Sequence, residues 1–115
     1  LDRHDDAIAS FDRAIALNPN AYKAHLNRGN SQIQLRLFSD AVTSLDRVLE
    51  LQPDYAPAHY SKATCYVSQG EIDLGLESLQ RAIELDKRYQ TEARTDTTFA
   101  RLRRDEWFQQ IVEKL

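Results

Sequence analysis

Asp12-Arg13-Ala14-Ile15-Ala16-Leu17-Asn18-Pro19 returns 34 residues later as Asp46-Arg47-Val48-Leu49-Glu50-Leu51-Gln52-Pro53. A third version, Gln80-Arg81-Ala82-Ile83-Glu84-Leu85-Asp86-Lys87, follows after the same interval, with Lys87 in the proline's place. A period of roughly 20–50 residues is the signature of stacked structural repeats. Between the prolines the apolar residues keep helical rather than strand spacing. Ala41, Leu45, Val48 and Leu49 fall on one stripe. Ser39 is the expected N-cap of that helix and Pro53 its stop, because the residue before a proline is pushed out of the α region. Asn20 is the expected cap of the preceding helix, which carries Ala24, Leu26, Ile33, Leu35 and Leu37. In the next unit Asp54 caps a helix running to about Gln69, with Pro57 in its first turn, where a missing N–H is harmless. Gly70 makes the turn, and Ile72, Leu76, Leu79, Ala82 and Ile83 stripe the partner helix. Each unit is therefore a pair of antiparallel helices.

The bulk properties bound the reading. At 115 residues the chain suits one domain. Its 42% hydrophobic and 29% charged residues give a soluble globular balance, and no apolar run approaches the roughly 20 residues of a membrane span. The single Cys65 excludes an internal disulfide framework and a cysteine-rich zinc site, and it suits a reducing, cytoplasmic setting. A net charge of −3 argues against nucleic acid as the partner of the whole domain. The sequence contains no methionine, and the period run backwards places Leu1 inside a unit. The expectation is a piece of a longer array.

These residues resemble the tetratricopeptide repeat across positions 1–89. Ala7-x3-Phe11 followed by Pro19 matches the second half of one unit, and Gly29, Ala41-x3-Leu45 and Pro53 match a complete one. Ala63, Tyr66 and Gly75-x3-Leu79 match another. Small residues at Gly29, Ala41, Ala63 and Gly75 let paired helices approach, and Gly75 inside a helix costs about 1 kcal/mol relative to alanine. His25 and His59 replace the family's first aromatic, Arg28 and Lys62 its leucine, and Gln32 its tyrosine. Asn27-Arg28-Gly29-Asn30 is similar to a variant found in bacterial, notably cyanobacterial, members. The resemblance implies an all-α, right-handed solenoid of helix pairs with a C-terminal capping helix. Its parts would be the second helix of a truncated repeat (1–19), repeats at 20–53 and 54–87, and a helical cap (88–115).

In that cap, Tyr89 to Thr95 can form a short helix and Asp96-Thr97-Thr98-Phe99 a turn. Asp105 can then cap a last helix whose stripe is Phe108, Ile111, Val112 and Leu115, with Trp107 on its edge. A terminal element with one polar face is what a repeat array needs to cover its last hydrophobic surface.

Chemistry-bearing motifs are few. His25, His59 and Cys65 invite a metal reading, but one repeat separates the histidines by about 10 Å, whereas zinc ligands sit about 2 Å from the ion. They read instead as histidines filling an aromatic's position, and Cys65 as a small buried hydrophobe. No metal, cofactor or catalytic residue is expected; no phosphate loop, zinc-protease motif or nucleophile elbow occurs. The resemblance implies a protein-interaction module with a groove lined by the first helix of each pair. Those helices supply Lys23, Leu26, Asn27, Asn30, Ile33 and Gln34, then Tyr60, Ser61, Thr64, Val67 and Ser68. Asparagine offers both donor and acceptor groups, which suits the backbone of an extended peptide.

Chaperone-serving members clamp a C-terminal carboxylate with asparagines and basic groups. Asn27 falls where one such asparagine would lie, but Pro57 and Ser61 stand at the basic positions, so a full clamp is not expected. Two alternatives remain. Ala7, Phe11 and Ala14, lacking a partner helix, could drive homo-oligomerisation. More remotely, the basic stretch 87–104 (Lys87, Arg88, Arg94, Arg101, Arg103, Arg104) could touch nucleic acid, although solvated charge around the cap is the simpler reading.

Overall fold

A computed structural model describes residues 3–113. The helices are α1 (Arg3–Leu17), α2 (Tyr22–Gln34), α3 (Phe38–Leu51), α4 (Ala56–Ser68), α5 (Ile72–Leu85) and α6 (Arg88–Thr95). A 3-10 segment (Thr97–Leu102) and α7 (Glu106–Glu113) complete the chain. The described residues contain no strand. Leu115, expected on the last stripe, lies outside the described residues. Each helix from α1 to α6 packs on its successor, and α7 closes against α5 and α6. This is the architecture of a helical repeat solenoid.

Two apolar clusters run through it. Ala41, Leu45 and Val48 of α3 meet Ala58 and Cys65 of α4, with Leu26 and Ile33 of α2 packed alongside. The second joins Tyr60, Ala63 and Val67 of α4 to Leu76, Leu79, Ala82 and Ile83 of α5, and onward to Ala93, Phe99, Leu102, Phe108 and Val112. The close approach expected at Gly75 is real. A Cβ there would lie 2.6 Å from Val67 Cγ2, so no side chain fits between α4 and α5 as they stand. At Gly29 a Cβ would lie 3.3 Å from Leu45, a looser fit. Gly70 turns the chain at φ +85°, and Arg36, one period earlier, adopts φ 61° in the corresponding turn. That left-handed conformation suits glycine and strains an L-residue.

Three of the expected N-caps are corrected. Helix α2 starts at Tyr22, α3 at Phe38 and α4 at Ala56, and none has a side-chain cap. The supposed capping side chains bond across the helix pairs instead. Asn20 Oδ1 accepts from Arg47 Nη2 (3.1 Å), and Asp54 Oδ1 accepts from Arg81 Nη2 (3.0 Å) in the same place one repeat later. Ser39 Oγ accepts from Gln69 Nε2 (2.9 Å). Asp105 does cap as expected, its Oδ1 accepting from the Phe108 amide (3.0 Å).

The departures from the family pattern build the joints between units. His25 Nε2 lies 2.9 Å from the Pro19 carbonyl and His59 Nε2 lies 3.0 Å from that of Pro53. A carbonyl only accepts, so in both rings Nε2 carries the proton. Each histidine thus ties its helix to the proline that closes the unit before. Beside them Arg28 pairs with Asp12 (2.9 Å) and Lys62 with Asp46 (2.7 Å), again one period apart. The series changes at the end of the array, where Gln80 follows Asp46 by one period. Gln80 Oε1 accepts from the indole N–H of Trp107 on α7 (3.0 Å).

Candidate functional site

Lys23, Asn27, Asn30 and Gln34 recur at intervals of four, three and four along α2, which places them on one side of the helix. All four are exposed, and none of their side chains has a hydrogen-bond or ion-pair partner among the described residues. Leu26 and Ile33, beside them, are half-buried because they pack toward α3 and α4. The result is a row of amides and one ammonium, with an apolar edge. The amides offer both donors and acceptors, and the ammonium donors alone.

The continuation on α4 is narrower than the sequence suggests. Ser61, Thr64 and Ser68 are half-buried, and the Thr64 hydroxyl donates to the Tyr60 carbonyl of its own helix (3.3 Å). Tyr60 and Val67 are corrections, being 7% and 0% exposed. Tyr60 stacks on Tyr89 (centroids 4.6 Å apart), meets Phe99 edge-on at 5.7 Å and donates its hydroxyl to Asp96 Oδ2 (2.7 Å). Burial foremost, then the bond to the Asp96 carboxylate, pushes the Tyr60 phenol well above its ordinary pKa. Burial likewise raises that of Tyr89. The segment after Thr95 closes this end of the face, an effect that the 34-residue period alone does not reveal.

That segment is placed by Asp96 and Arg101, which by sequence alone are a turn residue and a solvated charge. Asp96 Oδ1 accepts from the Thr98 amide (2.9 Å), starting the 3-10 turn that drives Phe99 into the core. Arg101 Nη2 donates to the Val67 carbonyl at the end of α4. An Asp-Thr-Thr run ahead of a phenylalanine was the available signal, a side chain that caps its own turn. Arg88 is exposed and bound to Asp86 (2.7 Å), which holds the Asp86 carboxyl below its ordinary range.

Around the proposed self-association surface, Ala7 and Phe11 are half-buried and Ala14 is exposed. Helix α1 has no fully buried residue, and Leu17 is 88% exposed.

The described residues include no group of three or more histidine, cysteine, aspartate or glutamate side chains able to hold a metal. Cys65 is fully buried, and burial pushes its thiol up to about 12 against the opposing pull of Lys62. A thiol so protonated is a poor nucleophile. No described helix is long and apolar enough to cross a membrane.

A family model described as tetratricopeptide repeat matches residues 1–37 and 26–89. No curated protein matches the sequence. Among solved structures, MamA 41-end from Desulfovibrio magneticus RS-1 aligns with a TM-score of 0.78 at 22% identity, covering 96% of this chain and 61% of that one. The MamA RS-1 ArsTM double mutant gives 0.78 at 23% identity with the same coverages. A further crystal structure of MamA gives 0.79 at 23% identity, covering 96% of this chain and 67% of that one. At these identities the likeness is one of fold. The chain spans 61% of the length of the first two of these structures.

Proposed function

Because this chain belongs to the tetratricopeptide repeat family, generally a protein-interaction fold, we propose that it binds an extended peptide or protein segment along α2. The observation that supports this is the row Lys23, Asn27, Asn30 and Gln34, exposed and without intramolecular partners. Some amides elsewhere are spent: Gln32 Oε1 accepts from Ser44, and Gln69 Nε2 donates to Ser39. Ser61, Thr64 and Ser68 border the same face at lower exposure. Amides and an ammonium hydrogen-bond a bound backbone, so the role proposed for this row is recognition.

Selection from a random peptide library tests the reading. Peptides retained by the wild-type chain should lose about tenfold or more in affinity for an Asn27→Ala/Asn30→Ala variant, the effect of about two hydrogen bonds left unmade. Equal affinity for both proteins would move binding off α2. A peptide ending in Glu-Glu-Val-Asp should bind neither, since Pro57 and Ser61 supply no cation.

A second reading rests on α1, which buries no residue completely and exposes Leu17. There, a second copy would cover Phe11 and its neighbours. Light scattering across a concentration series separates the two, because a strict monomer excludes self-association through this face.

A further inference from the structure

The basic stretch between Lys87 and Arg104 does not act as one patch, because the fold spends some of its cations and leaves others unspent. Arg88 is bound to Asp86, and Arg101 donates to the Val67 carbonyl. Arg94 Nε donates to the Val112 carbonyl (2.6 Å). Val67 and Val112 lie in the last turns of α4 and α7, where the helix dipole favours a cation. The bond through Nε holds the Arg94 guanidinium in place and leaves its terminal nitrogens available.

Arg103 lies in the turn between the 3-10 segment and α7. Its carbonyl accepts from Gln109 Nε2 (2.8 Å), which holds the backbone, while its side chain is exposed and has no partner among the described residues. Arg94, Thr95 and Arg103 line one open cleft of about 510 Å³ together with Phe108, Val112 and Glu113. Glu113 forms no ion pair with either arginine. The lining therefore carries one more positive than negative charge.

We propose that this cleft is an oxyanion-binding site, in which a carboxylate or phosphate group is held between the guanidinium groups of Arg94 and Arg103. Two planar forks from different elements, one already anchored, match the paired oxygens of such a group. The site lies at the cap, apart from the α2 row, and does not depend on peptide binding there.

The test is an NMR titration of the arginine Nε–H signals at fixed ionic strength. The probes are inorganic phosphate, a hexapeptide with a central glutamate, and the same hexapeptide with glutamine. At least one of the first two should shift Arg94 and Arg103 saturably while Arg104 stays still. Whichever of the two saturates identifies the source, free phosphate or peptide carboxylate, and the glutamine peptide should leave the signals unchanged. Arg103→Gln should weaken the effect about fivefold or more, the loss of one charge-assisted contact, and Arg104→Gln should not. Arg94 is left intact because its bond to Val112 supports the cap. Unsaturable shifts of equal size at Arg103 and Arg104 would mean screening of surface charge and overturn the site. So would a short oligonucleotide that moved Lys87, Arg88 and Arg104 together while phosphate and peptide moved nothing.

Discussion

The first full helix pair, α2–α3, and the second, α4–α5, place equivalent residues in opposite surroundings. Leu26 and Ile33 of the first are only half-covered, although α4 follows them. Tyr60 and Val67, one period later, are sealed by α6 and the 3-10 segment. Their polar interiors differ too. In the first pair Arg28 Nε donates to Ser44 Oγ (3.1 Å), whose hydroxyl donates to Gln32 Oε1 (2.8 Å). In the second, Tyr66 replaces Gln32, and Lys62 lies 5.6 Å from its ring centroid. A repeat position thus supplies an address, and the neighbouring element decides whether that address is a surface or a core.

Removing the seal should erase the contrast most strongly. Phe99→Ala empties a side chain that is 1% exposed and touches both Tyr60 and Phe108. We expect about 3–5 kcal/mol of destabilisation by urea denaturation, the usual cost of a phenylalanine-sized core cavity. A loss below about 1 kcal/mol would show that the segment after Thr95 adds little to the fold.

The two interior glycines sharpen the comparison at an intermediate scale. Gly75→Ala drives a methyl group into Val67, a stiff β-branched neighbour, and should cost about 1–3 kcal/mol. Gly29→Ala meets Leu45 at 3.3 Å, and the helix-propensity gain of about 1 kcal/mol offsets the crowding, leaving stability nearly unchanged. Equal denaturation midpoints for the two variants would contradict the difference in helix approach.

A modest, pH-dependent effect concerns the hydroxyl that closes the second pair. Tyr60→Phe should cost about 1 kcal/mol near neutral pH through the lost bond to Asp96. The phenol's pKa is raised in the folded chain, so the stabilisation from its neutral form is intact below the ordinary tyrosine range and declines as pH rises above about 10. Wild-type stability should therefore fall in that alkaline window more steeply than that of Tyr60→Phe. Parallel curves would mean that the phenol does not titrate with unfolding.

Much of the fold was legible because helix pairing follows apolar spacing, and spacing is written locally. The stripes Ala41–Leu49 and Ile72–Ile83, the turn at Gly70, the cap at Asp105 and the close approach at Gly75 all depend on residues near in sequence. The three corrected N-caps show the limit of that logic. Asn20, Ser39 and Asp54 have suitable side chains, yet Arg47, Gln69 and Arg81, some 27–30 residues away, claim them. The helices accordingly begin at Tyr22, Phe38 and Ala56. Of the candidate residues, Lys23, Asn27, Asn30 and Gln34 share one side of α2 by spacing, while their exposure is read from the structure. The burial of Tyr60 was not legible, since it needs Asp96 and Phe99 to return across 36 or more residues.

The paired joints also make each unit a portable part. His25 on Pro19 and Arg28 on Asp12 fasten one unit to the last, as His59 on Pro53 and Lys62 on Asp46 fasten the next. A duplicate of residues 20–53 inserted after Pro53 would therefore meet matching couplings at both of its ends, while Trp107 kept its hold on Gln80. Those couplings would carry over, whereas the Ser39–Gln69 bond would not, because Leu35 stands one period before Gln69.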